Sequence, residues 1–347
     1  MNIEKKVLQN ISKCYSIAPL RYQGAEYILV ASEKMDRCAL FDIQGKEIET
    51  VFTEPGGVMT MVQVPDTDGQ FLATQKFYSP NDSIQAKLVI VTPVEGVWEV
   101  RTLVRLPFVH RFDILHRNGI NYLIACTLKS GHQYKEDWTS PGKVYAAVLP
   151  EDLSGYNEDN QLELTVIKEG LYRNHGYYRV EEGGIPTALI SSENGIVQFI
   201  PPAGAGEHWT VKELLKVPAS DAVLLDLDGD GERELGVIAP FHGDSFSIYK
   251  KQDEVFKKVY EHPEKLEFLH SIYGGELCKK PSIVVGYRRG DSKLISISYD
   301  KEEGDYRSTV IDSGCGSANI YHYVKDGRDI IISANREIDE IAMYTIT

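Results

Sequence analysis

The feature that most constrains this chain is a pattern that recurs seven times: an apolar strand, a turn, a second strand hydrophobic throughout, a polar loop, then an alternating third strand. Residues 220–250, SDAVLLDLDGDGERELGVIAPFHGDSFSIYK, show it in full, and VFKKVYE (255–261) adds a fourth short strand. The same order runs from Val109 (VHRFDILHRNGINYLIACTLKSG), from His270 (HSIYGGELCKKPSIVVGYRRGDSKLISISY) and from Gly316 (GSANIYHYVKDGRDIIISANREIDEIAMYTI). Alignment on the second strands makes Cys14, Gly57, His110, His175, Asp221, His270 and Ser317 equivalent starts of first strands. The intervals between them run from 43 to 65 residues, the longest being stretched by the loops HQYKEDWTSPGK and PEDLSGYNEDNQ.

Repeats of roughly 40–50 residues, each able to bury its faces only against its neighbours, specify a β-propeller. Fourth strands are expected at EIETVFT, WEVRTLV, QLELTVIKEG, WTVKELL, VFKKVYE and YRSTVID. The seventh unit runs out of chain after three strands, and IEKKVLQ (residues 3–9) is a strand without a partner. Lending it to the last blade removes two exposed sheet edges at once. No amphipathic helix interrupts the plan, as a parallel α/β fold would require. The expectation is an all-β, seven-bladed propeller of four-stranded blades forming one domain over residues 1–347, closed by its N-terminal strand.

Charge then narrows the partners. A net charge of −14 repels phosphate backbones and anionic lipid, so neither nucleic acid nor a membrane surface is an expected partner. The five cysteines (Cys14, Cys38, Cys126, Cys278, Cys315) are odd in number and form no CxxC pair, so reduced thiols are expected. The first residues, MNIEKKVLQNISKCYS, lack the apolar core of a signal peptide, and no run reaches membrane-spanning length. A cytoplasmic location is the expectation.

One turn is chemically distinct. Asp226-Leu-Asp228-Gly-Asp230-Gly-Glu232-Arg-Glu234 sets carboxylates at alternate positions around glycines, between the strands VLLD and ELGVIA. A hard cation seeks six to eight oxygens in such a loop. The spacing resembles the DxDxDG loops of FG-GAP and VCBS-type propeller repeats. That resemblance implies a structural Ca²⁺ held by the side chains of Asp226, Asp228, Asp230 and Glu234 and by the carbonyl of Glu232. The alternative is a solvated hairpin turn rich in Asp and Gly. HRNG (116–119), PDTDG (65–69) and KDGRD (325–329) occupy the same turn without the full carboxylate set.

On the opposite face, first-strand starts converge on the axis of a propeller. His110, His175 and His270 with Asp221 form a donor set suited to Zn²⁺ or Mn²⁺, unless each is a separate hydrogen-bonding rim residue. The loops joining second to third strands add Lys129, His132, Trp138, His242, Tyr287, Arg288, Arg289 and Arg336. Arginines there read as holders of a carboxylate or phosphate, or as solvated loop charge. No GxSxG elbow, HExxH helix, P-loop or Rossmann fingerprint is present.

Two functions fit this face. One is a lyase or dehydratase that abstracts a proton beside a carbonyl or carboxylate of a small, anionic sugar or uronate and β-eliminates. The metal or the arginines (Arg288, Arg336) would stabilise the enolate, and His132, His242, Lys129 or Tyr287 would serve as the base. In ring plan and in drawing histidines from separate blades, this resembles the oligogalacturonate lyases and aldos-2-ulose dehydratases; no residue is carried over from either. The other is a non-catalytic FG-GAP/VCBS-like propeller that binds a glycan or protein.

Overall fold

A computed structural model describes residues 2–347. The chain forms seven antiparallel sheets of four strands, and in six of them the strands follow chain order from axis to rim. Blade 1 runs from Cys14 to Phe52, blade 2 from Met61 to Arg105, blade 3 from Val109 to Leu171 and blade 4 from Gly176 to Leu215. Blade 5 runs from Asp221 to Glu261 and blade 6 from Leu269 to Asp312. Blade 7 takes three strands from Ser317 to Ile346 and its outermost from Ile3–Asn10. That strand pairs antiparallel with Glu340–Ile346, from Ile3 opposite Ile346 to Asn10 opposite Glu340, so the two ends of the chain close the ring. The only helical element among the described residues is the 3₁₀ turn Arg336–Ile338, and no helix is long and apolar enough to cross a membrane.

Burial explains why the second strands were the readable ones. Phe71–Gln75 is buried at every position, and Arg328–Asn335 is buried at all but its first. Blade packs on blade through these strands, as where Leu29, Leu40, Phe71 and Val89 join blades 1 and 2. Fourth strands face solvent, Thr210–Leu215 being exposed or half-buried throughout.

The inner strands carry a repeated irregularity. Register slips by one residue between Cys14 and Ser16, Val109 and Arg111, Leu269 and Ser271, and Ser317 and Asn319. Each slip is a β-bulge, which leaves one residue unpaired and re-aims its side chain. The bulged residues are Tyr15, His110, His270 and Ala318. Tyr15 and Ala318, rather than Cys14 and Ser317, are the structural equivalents of His110 and His270 in blades 1 and 7.

Candidate metal centre on the ring axis

The bulges deliver Tyr15, His110 and His270 to the axis, where each is 3 % exposed or less. Blade 4 contributes His175, the residue before its first strand. Gly176 makes this possible: a Cβ there would lie 2.4 Å from the Ser220 carbonyl oxygen, so only glycine lets blades 4 and 5 approach so closely. The approach seats His175 Nδ1 2.8 Å from Asp221 Oδ2, with Ser220 Oγ also donating to that carboxylate at 3.0 Å. His242, on the loop after the second strand of blade 5, arrives with a left-handed φ of 48°. Such a backbone costs about 1–3 kcal/mol outside glycine. The ring is held between Phe241, stacked at 4.0 Å, and Phe268 at 4.6 Å.

Hydrogen bonds fix the tautomers. His110 Nδ1 lies 3.2 Å from the carbonyl of His175, and His270 Nδ1 lies 2.8 Å from the carbonyl of Ala318. A carbonyl can only accept, so in both rings Nδ1 carries the proton and Nε2 keeps its lone pair. Asp221 does the same for His175. Tying the outer nitrogen of an imidazole to a carboxylate or carbonyl is the arrangement that orients metal-binding histidines. One nitrogen from each of His175, His242 and His270 falls within 4.8 Å of the other two. His175 Nε2 and His242 Nε2 are 3.2 Å apart. Nitrogens about 2.0–2.1 Å from a tetrahedral zinc stand about 3.3 Å from one another, so the His175–His242 pair has the spacing of two ligands of one ion, and His270 lies close enough to be a third.

Burial, reinforced by neighbouring imidazoles and guanidinium groups, holds His110, His242 and His270 well below the ordinary imidazole range. They are therefore neutral and available as ligands at physiological pH. The phenol of Tyr15, pushed by burial up to about 12, stands 3.2 Å from His270 Nε2 and 3.5 Å from His110 Nε2. Tyr15 was missed in the sequence because its alignment stopped one residue short, on Cys14; the signal that identifies it is the bulge.

The expected metal set of His110, His175, His270 and Asp221 is thus brought together, with altered roles. Asp221 orients His175, His242 joins the donors, and His110 turns towards Tyr15. Of the other expected catalytic residues, Arg288 stands beside the set, its guanidinium 4.8 Å from the centre of the Phe268 ring that packs on His242, while Tyr287, Lys129, His132 and Arg336 are engaged elsewhere. Tyr287, 4 % exposed, packs in the apolar layer with Leu269 and Ile295, turned away from the face. Lys129 is fully buried, donating to Asn81 Oδ1 at 2.9 Å and to the Asp137 carbonyl at 3.0 Å, with Trp138 beneath its ammonium. Its cation ties two loops together, and burial lowers its pKa. His132 packs edge-on to Phe108 and its Nδ1 has no partner. Arg288 Nε donates to Glu337 at 2.7 Å, and Arg336 is bound to Glu33 and Glu337. Both guanidiniums are therefore already paired with carboxylates. Arg289 stands over Phe268 at 4.9 Å and forms no ion pair among the described residues.

The acidic turn of blade 5 lies on the opposite face. Carboxylate oxygens of Asp226, Asp228 and Glu234 fall within 4.8 Å of one another. Lys250, reaching from the third strand of the same blade, sets its ammonium among them, donating to Asp228 and, at 2.6 Å, to Asp230, and forming an ion pair with Glu234 at 3.3 Å without a hydrogen bond to it. Burial would lower the pKa of this lysine, but the three carboxylates raise it above the usual range. Glu232 is exposed, and its backbone N–H donates to Asp230.

No family profile matches the chain, and no curated relative matches it. Solved structures do. A candidate 6-phosphogluconolactonase from Bacteroides uniformis superposes with a TM-score of 0.56 at 13% identity, over 96% of this chain and 92% of that one. The β-propeller domain of Cps50 (Swd1) from Myceliophteria thermophila gives 0.58 at 11% identity, over 99% and 100%. The Dos1 propeller gives 0.55 at 8% identity, over 92% and 74%. At these identities the likeness is one of fold, and the fold is the seven-bladed β-propeller.

Proposed function

We propose that the axial site is a divalent-metal centre at which a small anionic sugar loses a proton and a β-leaving group. The observation that carries this reading is a set of three imidazoles with a nitrogen of each within 4.8 Å of the others, Nδ1 of His175 and of His270 being tied back to Asp221 and to the Ala318 carbonyl, with a buried phenol beside them. His175, His242 and His270 would hold the ion, which supplies charge to stabilise an enolate oxygen. Tyr15 and His110 then handle the proton. As the phenolic oxygen takes the proton from the carbon beside the carbonyl, the phenol's own proton passes to His110 Nε2. The C–H electron pair becomes the new C=C bond, and the β C–O bond breaks with its electrons on the departing oxygen. The proton taken up by His110 is returned to that oxygen as it leaves, and with the phenol already reprotonated by the carbon's proton both groups are back in their starting states.

One of the similar rings is named for action on 6-phosphogluconolactone, an anionic sugar derivative, which is in keeping with this substrate class. The test is the ultraviolet absorbance of a conjugated double bond during incubation with keto sugars, uronates and their oligomers. Turnover by the wild type that falls by about 10²–10⁴ in Tyr15→Phe, with metal content unchanged, is the expected result. Full activity in Tyr15→Phe, or silence of the metal-loaded wild type across the panel, overturns it.

A further inference from the structure

Beneath the histidines, on the axis, lies a cavity of roughly 210 Å³ whose wall takes residues from the inner strands of all seven blades. Among them are Ser16, Thr60, Arg111, Asp221, His270 and Asn319. Two groups in this wall are incompletely paired. Arg111 donates from Nη1 to the Met59 carbonyl at 2.9 Å and stands over the Tyr15 ring at 5.6 Å. No carboxylate pairs with it among the described residues, which leaves most of its five N–H donors uncommitted. Ser16 is 1 % exposed, and its hydroxyl has no hydrogen-bond partner. The one carboxylate in the wall does not compensate Arg111, because Asp221 Oδ2 is already engaged by His175 and Ser220.

A half-buried guanidinium without a counter-ion and an orphaned hydroxyl are both costly to enclose. An oxyanion satisfies both, since a carboxylate or phosphate matches the guanidinium fork and has lone pairs to spare for a hydroxyl. Size limits the rest of the ligand. The cavity has room for an oxyanion carrying a short polyhydroxylated chain.

We infer that the axial cavity is an oxyanion pocket in which Arg111 and Ser16 hold the carboxylate or phosphate of a monomeric sugar acid or sugar phosphate. His270 and Asp221 belong to both this wall and the histidine set, so a ligand anchored on Arg111 extends its carbon chain towards that set. As a statement about the substrate this rests on the proposed function; as a statement about binding it does not.

The test is calorimetric titration of the full chain with gluconate, inorganic phosphate and, as the neutral control, glucitol. Each is run with metal-loaded and with chelator-treated protein. Gluconate and phosphate bind and glucitol does not. Arg111→Met weakens oxyanion binding on the order of tenfold to a hundredfold, as expected for one charged hydrogen-bond pair. Arg111→Lys recovers part of it, and Ser16→Ala, which leaves no large cavity, weakens it by a smaller factor. Unchanged binding in an Arg111→Met protein that keeps the wild-type melting curve overturns the pocket. So does equal binding of glucitol, or no oxyanion binding by the wild type. Oxyanion binding that survives chelation, with no sugar acid turned over, sinks the proposed reaction and leaves the pocket standing.

Discussion

Lys250→Met removes the ammonium from the acidic turn of blade 5 while keeping most of the side-chain stem. The cost is dominated by Glu234, whose side chain is 0% exposed and would be left as a buried carboxylate without its cation. Breaking a buried pair in this way costs about 3–5 kcal/mol. The Leu227 N–H, which donates to Glu234 at 2.7 Å, remains and places the expectation near the lower figure. Asp230, with a side chain 49% exposed, adds well under ~1 kcal/mol. In a chain of this size, about 3 kcal/mol lowers the melting temperature by roughly 4 °C. The same substitution frees Asp226, Asp228 and Glu234 to share a divalent ion. Calcium at a hundred times its dissociation constant would then restore about 2.7 kcal/mol. Melting curves with chelator and with calcium, on wild type and variant, decide the matter. The variant should be destabilised in chelator and rescued by calcium, and the wild type should respond little. A wild type stabilised by calcium as strongly as the variant would refute the reasoning, because the lysine would then yield to the ion as the FG-GAP resemblance implies.

Asp221→Asn keeps the shape of the site but weakens the hold on His175, and should lower transition-metal affinity about 10–100-fold in a chelator competition. An unchanged affinity would remove Asp221 from the site. Deleting residues 1–10 uncovers the edge of Glu340–Ile346 and removes a strand paired along its length. The expected loss is on the order of 5 kcal/mol, together with concentration-dependent association through the open edge, read by urea titration and light scattering. In metal-free protein, His110, His242 and His270 are held neutral when folded, while unfolded imidazoles protonate near 6.5. Protons therefore favour the unfolded chain: stability is intact above that pH and declines below it, each histidine adding a slope of up to about 1.4 kcal/mol per pH unit. Urea midpoints that do not change between neutral and mildly acidic pH would contradict this.

The ring was readable because its information sits in the second strands. They are buried on both faces and therefore largely apolar, as Phe71, Leu72 and Ala73 show. The closing strand was readable because a seventh unit lacking a fourth strand demands one. The site was half-readable. Histidines at recurring strand starts are visible in a sequence, but a one-residue bulge is not, so Cys14 stood where Tyr15 belongs. His242 was legible as a group on the correct face; its place among the donors depends on a left-handed backbone and two flanking rings. Tyr287 read as a loop residue because the second strand of blade 6 runs one position further than its pattern suggests, ending at Tyr287 itself. The acidic turn was conspicuous, but Lys250 was not, because its approach comes from across the sheet. Arg111 gave no signal, since the position after the bulge holds Ser16, Ser271 and Asn319 in the other bulged strands and a cation in none of them.

The central claim is that His175, His242 and His270 hold a divalent transition metal. Metal analysis of untagged protein after loading with zinc or manganese and exhaustive dialysis tests it most directly. About one ion per chain is expected, lost from a His175→Ala/His270→Ala double variant that retains the wild-type β-sheet circular dichroism. An ion retained in full by that variant, or none taken up by the wild type, would contradict it.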